Sequence, residues 1–314
     1  MCRKVVISGC GCISRQGEDV ATLRNAFDNY RIGNGVHLPE KQQRYQFCDM
    51  DILDKLPKPD DACKSVLMSA EEAVKQAGVK IDKDNSFRTG IIIGTVNGVF
   101  SSQVRYLNVL HKTKLSSPIL FQSTANNLLT GLLSLKYHIR GYSTVIFNGM
   151  TSALDAIILA KDLIESGIID SALVGGCDGG SGCLKKNGID TVPFEESGVV
   201  VLENEENVSC KDKILGTVTE TVQERCTGRL NLADIIASAA DKEERIDNLF
   251  IGTDETISFC QGDRVMEMGD FFKPGSCVAG MLQVILCLQQ KGRNNVVLNY
   301  DKAGYVSSIT IRNS

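Results

Sequence analysis

The chain has 314 residues, 43% of them hydrophobic and 23% charged, which gives ample apolar surface for a large core and more length than one ordinary domain uses. Its net charge of −4, without any Lys/Arg run, excludes a surface built to displace counterions from nucleic acid. A membrane-spanning helix needs roughly 20 consecutive apolar residues, and the longest candidate, Ala153 to Ile164, is interrupted by Asp155, Lys161 and Asp162.

The N-terminal stretch MCRKVVISGC enters a strand almost at once, without the apolar region and small-residue cleavage site of a secretory leader, so a soluble cytoplasmic protein is expected. Short β-rich runs bounded by glycine follow at Lys4 to Ser8, Gly90 to Gly94, Thr144 to Phe147, Ala172 to Gly175 and Val199 to Leu202. The amphipathic stretches EDVATLRNAF, KSVLMSAEEAVKQAG, STANNLLTGLLSLKYHI and SALDAIILAKDLIESG separate them. Apolar runs that do not alternate predict strands buried on both faces, and helices between them predict parallel crossovers, hence an α/β unit with a mainly parallel sheet.

After Leu202 comes the polar bridge ENEENVSCKDK, and then a similar series begins again. KILGTVT reads as a strand, LNLADIIASAADKEE as a helix, NLFIGT as a strand, SCVAGMLQVILCLQQ as a helix, and VVLN and YVSSITI as closing strands. The shortened echo predicts an internal duplication, with halves 1–205 and 206–314. Six prolines and no Pro/Ser-rich linker predict that the halves pack as one unit.

The chemistry centres on STVIFNGMTSALDAI, Ser143 to Ile157, a strand running through a tight turn into a helix. A cysteine at such an apex faces free backbone N–H groups and the positive end of a helix dipole, which acidify it for acyl transfer. The apex here is Met150, whose thioether has no proton to lose. Reading Gly149-Met150-Thr151-Ser152-Ala153 as a degenerate G-x-S-x-G elbow makes Thr151 the nucleophile. The only histidines, His37, His111 and His138, all precede it, so no base follows in the order a hydrolase uses. Taken alone, the elbow is also satisfied by an Asn148-Gly149 turn, Ser152 as an N-cap and Met150 as core filler. The twelve cysteines are scattered without a C-x-x-C, and Cys10 and Cys12 are poorly spaced for tetrahedral zinc. They read as small buried hydrophobes, and neither a metal nor a cofactor is expected.

From Ser117 to Asp178 the sequence SPILFQSTANNLLTGLLSLKYHIRGYSTVIFNGMTSALDAIILAKDLIESGIIDSALVGGCD resembles the heart of the β-ketoacyl-acyl-carrier-protein synthases, condensing enzymes of the thiolase superfamily. Their pattern there is a gly-x-x-thr-val strand, a gly-cys-thr-ser-gly-leu-asp-ala elbow, a helix ending in glycine and an asp-x-ala-x-val-gly-gly strand. Gly141, Thr144, Val145, Gly149, Thr151, Ser152, Leu154, Asp155, Ala156, Gly167, Asp170, Ala172, Val174, Gly175 and Gly176 fall on it. KVVISGCGCISRQGEDVATLRNAF is similar to the family's opening strand and first helix, and PFEESGVVVLENEE to the strand closing the first half. The resemblance implies a thiolase-like α/β fold, two pseudo-duplicated halves in a layered α-β-α-β-α arrangement.

Members of that family carry the acyl chain on the elbow cysteine and use two histidines to polarise the malonyl thioester and steady the enolate. In register, the cysteine position holds Met150. The first histidine position, in a his-gly-thr turn, holds Ile251 ahead of Gly252 and Thr253, and counting back from Gly280 puts the second at Pro274. No histidine follows His138. The family's gly-phe-gly-gly gating loop is replaced by NYDKAGYVSSITI from Asn299, with Gly304 its one glycine, and cap insertions are trimmed around Met50 to Lys58 and Leu184 to Thr191.

The resemblance therefore implies a catalytically silent subunit of chain-length-factor type, which heterodimerises with an active ketosynthase in fatty-acid, polyene or polyketide-type chain elongation. It places the dimer contact on the edge strand Thr144, Val145, Ile146 and Phe147, with Phe121 and Asn126 reaching toward the partner's pocket. One alternative is an active condensing enzyme or acyltransferase with a relocated nucleophile, Cys177 or Cys277. Another is a homodimeric protein that binds an acyl chain or a carrier protein without chemistry. Lys112 and Lys114 are candidate contacts for an acidic acyl carrier protein, or simply a solvated face.

Overall fold

The β-branched runs become strands because both of their faces have something apolar to cover. In β2 (Thr89–Gly94), Ile91 and Ile93 face one core and Ile92 the other. In β4 (Ser171–Asp178) and β5 (Glu196–Asn204), Leu173, Val199 and Val201 join the first core, and Val174, Val200 and Leu202 the second. Strict alternation of destination underlies a sequence that does not alternate in polarity.

The computed structural model describes residues 3–33, 60–179, 195–225, 246–253, 265–268, 271–272, 276–290, 294–301 and 303–314. The other strands are β1 (Val5–Ile13), β3 (Ser143–Ile146), β6 (Gly216–Arg225), β7 (Asn248–Thr253), β8 (Val265–Glu267), β9 (Asn294–Tyr300) and β10 (Tyr305–Asn313). The helices are α1 (Val20–Arg31), α2 (Asp61–Ala77), α3 (Phe100–Thr113), α4 (Pro118–Gln122), α5 (Leu128–Tyr137), α6 (Ser152–Glu165) and α7 (Val278–Leu288). The predicted helix LNLADIIASAADKEE, the trimmed segments at 50–58 and 184–191, and His37 lie outside the described residues.

The strands form one sheet in the order β3-β2-β4-β5-β1-β6-β10-β9-β7-β8. Outward from the β1–β6 seam, each side runs first, fifth, fourth, second and third strand of its own half. The directions repeat as well: the first two junctions on each side are antiparallel and the last two parallel. The seam itself is short, pairing Val5 with Val218, Val6 with Thr217 and Ile7 with Gly216. Two halves of one topology, related about this seam, are what duplication of a five-stranded unit produces.

The expected mainly parallel sheet is corrected by this ladder, which is mixed. Unbroken apolarity reports that both faces of a strand are covered, and β5 meets that condition while running antiparallel to β4 and β1. One face of the first half packs against α2 and α5. The other face, together with strands of the second half, encloses α6 and α7, and this central layer is the larger core. Among the described residues no helix is long and apolar enough to cross a membrane.

Candidate functional site

The elbow is built by short-range polar contacts that only this sequence of small polar residues supplies. Gly149 turns the chain at φ +61°, a conformation that costs a residue with a side chain. A Cβ at Gly149 would also collide with the Asp301 carboxylate. The Asn148 N–H donates to Ser152 Oγ at 2.7 Å, and that hydroxyl donates to the Gly149 carbonyl at 2.7 Å. The helix begins at Ser152 with Thr151 as its cap residue, so Ser152 braces the turn from inside α6 and is not the N-cap expected from sequence.

Asp155, one turn into α6, holds the elbow from below. Its Oδ2 accepts from Asn148 Nδ2 at 2.7 Å and Thr151 Oγ1 at 3.0 Å, and its Oδ1 accepts from Ser307 Oγ on β10. The carboxylate is buried, so it anchors the elbow to the second half through three donors. Thr151 is thereby a bracing hydroxyl, engaged also with the Asn148 carbonyl at 2.9 Å, with no histidine beside it among the described residues.

Met150 is 8% exposed, and its carbonyl accepts a long 3.5 Å bond from Asn299 Nδ2 on β9. Asn299 also packs against Gly280 of α7 and Gly252 of β7, where its amide and that of Gln283 fill the space a Cβ would take. The elbow, the end of β7, the first turns of α7 and the end of β9 therefore converge at one point. Ile251, next to Gly252, is buried in the core as an aliphatic side chain, and Thr253 ends β7. Pro274 lies outside the described residues. The turn from Asp301, with Gly304 at φ +86°, sits against Gly149, so the segment that replaces the glycine-rich gate stands beside the elbow.

Sequence reasoning missed Asp178, Asn299, Gln283 and Ser307. Their signal was a polar residue set inside an apolar run, as in VGGCD, VVLN and GMLQV. Around this point Asn299 Oδ1 and both amide atoms of Gln283 are buried with no hydrogen-bond partner among the described residues.

The two cysteines raised as alternative nucleophiles are both fully buried. Burial pushes the Cys177 thiol far up, and its Sγ donates to the Ala62 carbonyl at 3.2 Å. Burial and the adjacent Asp178 carboxylate do the same to Cys277. Neither environment stabilises a thiolate.

Among the described residues, β3 forms one edge of the sheet and pairs only with β2. Thr144, Val145 and Ile146 are half-buried, and Phe147 just beyond the strand is 51% exposed. Phe121 on α4 is exposed and packs edge-on to Tyr106, ring centroids 5.7 Å apart. Asn126 is used internally, accepting from the Val99 N–H at 3.1 Å and Gln103 Nε2 at 3.4 Å. Lys112 and Lys114 are exposed where α3 ends, and His111 and His138 are exposed away from the elbow.

The overall architecture is shared with known structures. A chain from the complex of a type II PKS acyl-carrier protein with its ketosynthase bound to the hexaketide superposes with TM-score 0.80 at 18% identity, covering 100% of both chains. The ishigamide ketosynthase/chain length factor superposes with TM-score 0.73 at 16% identity, covering 99% of each. The fold is thus thiolase-like. Residues 51–188 match the family described as Beta-ketoacyl synthase, N-terminal domain. The tetracenomycin polyketide synthase ketoacyl synthase beta subunit of Streptomyces glaucescens is 30% identical over 125 residues, 39% of this chain and 31% of that one. The family match takes in less than half of this chain, the thiolase-like fold extends over all of it, and the sequence matches span less than half the length of these curated relatives.

Proposed function

We propose that the chain is a non-catalytic ketosynthase-like subunit of chain-length-factor type, whose partner is an active ketosynthase carrying the cysteine and both histidines. The observation that carries this reading is an intact elbow with no reactive group on it. Every contact that shapes the turn is present, from Gly149 to the Asp155 anchor, while the apex is a capped thioether and the neighbouring Ile251 offers no donor. A fold that keeps the geometry and loses the nucleophile is suited to support a partner's chemistry. One structural neighbour is a ketosynthase/chain length factor, and another is an acyl-carrier protein in complex with its ketosynthase.

The edge strand β3 supports the mode of association. Its free backbone groups and the flanking Phe147 and Phe121 make an unpaired, partly apolar edge of the kind that pairs with another chain. A second copy would fit this edge in principle, and oligomeric state decides between the two. Co-expression with a ketosynthase from the same gene neighbourhood, followed by light scattering on the purified material, should give a 1:1 heterodimer. A stable homodimer that takes up no such ketosynthase would overturn the reading in favour of a homodimeric binding protein.

A further inference from the structure

Asp178 closes β4 in full burial, and six donor groups converge on its carboxylate. One oxygen accepts from Thr95 Oγ1 at 2.9 Å and from the N–H groups of Val96 and Asn97, each at 2.8 Å. The other accepts from Ser276 Oγ at 3.1 Å, the Cys277 N–H at 3.2 Å and Cys277 Sγ at 3.5 Å. One side chain therefore ties β4 to the loop leaving β2 and to the first turn of α7 in the second half. That loop adjoins the elbow, because Thr95 N–H donates to the Ile146 carbonyl at the end of β3. Backbone N–H groups can only donate, so Asp178 is committed to accepting.

Directly opposite Asp178 in the antiparallel ladder stands Glu196. Opposed residues share one face of a sheet with Cβ atoms about 5 Å apart. Two carboxyl groups are therefore set side by side, which one negative charge satisfies and two do not. Among the described residues, the groups facing Glu196 are Asp178 from β4 and Arg15 from the segment after β1, whose backbone N–H donates to it and whose charge opposes the repulsion. Its neighbour Glu195 faces Asp60, Asp61 and Lys64 instead.

We propose that Glu196 keeps its proton beside an ionised Asp178, so that the opposed pair carries a single charge, and that this proton fastens the joint between the halves beside the elbow. Burial first, and then the Asp178 charge, push the Glu196 carboxyl up to about 7, against the opposing pull of Arg15. An acid raised in the folded state holds its proton more tightly folded than unfolded. The joint is strongest below the ordinary glutamate range, weakens as pH climbs toward about 7, and stays at its weaker level above that. The segments released are 95–97 and 276–277, so the elbow's surroundings respond to pH in the neutral range without any histidine.

The test is chemical denaturation of the full chain between pH 5.5 and 8.5 for the wild type, Glu196→Gln and the exposed control Glu18→Gln, with amide exchange of Val96, Asn97 and Cys277 corrected for intrinsic rates. The unfolding constant of the wild type and of Glu18→Gln should rise on the order of tenfold between pH 5.5 and 7.5 relative to Glu196→Gln. Protection of the three amides should fall over that range in the wild type and stay level in Glu196→Gln. Parallel profiles for wild type and Glu196→Gln, or a Glu196 carboxyl resonance titrating in the ordinary glutamate range, would overturn the proposal.

Discussion

Gly149 and Asp155 are the residues on which the elbow's shape depends, and their contacts set the cost of changing them. Gly149→Ala places a methyl group at positive φ against Asp301, and should lower stability by about 1–3 kcal/mol in urea denaturation. Asp155→Ala strands the Asn148 amide and two hydroxyls, and should cost about 2–4 kcal/mol. Met150→Cys supplies a thiol at the apex but no histidine, so condensation should stay at background in an assay with acyl and malonyl thioesters. Appreciable condensation by that variant would mean that the base positions have been misplaced. The other thiols give a separate check. With native protein, iodoacetamide should label Cys210, the exposed one among the described cysteines, and leave Cys177 and Cys277 until the chain is unfolded. The apex residue was legible in the sequence because the elbow is a local pattern. The anchors were not: Asp155 meets Ser307 across 152 positions and Asn299 meets Met150 across 149, distances over which no spacing rule operates.

At the scale of elements, β3 and the two central helices divide the work. α7 is buried along its whole length, and α6 lies beside it in the larger core. The burial of those strands was legible as well, while their direction was not. A run such as VVVL is apolar on both faces whether its neighbour runs parallel or antiparallel, so the register of β4 with β5 had to come from the structure. β3 differs from these in keeping one edge open, and its test is local. Phe147→Glu, at a half-exposed position, should leave the melting temperature of the isolated chain within a few degrees of wild type and abolish association in light scattering. Loss of fold together with association would assign Phe147 to the core instead of to an interface.

For the whole molecule, the repeated strand order about the β1–β6 seam brings parts of both halves together at the elbow. The elbow, Asn299, Gly252 and α7 meet at the join, so the residues there hold the two halves together. The contacts that join the halves were not legible in the sequence, because they pair residues far apart in it, among them Val5 with Val218, Asp155 with Ser307 and Asp178 with Cys277. The central claim is that the chemistry belongs to a partner chain, and chain-resolved native mass spectrometry tests it most directly. The chain would be co-purified with a ketosynthase that carries the cysteine and two histidines, then exposed to an acyl thioester. The account predicts a 1:1 complex with the acyl mass on the ketosynthase chain alone, and an acyl adduct on this chain would contradict it.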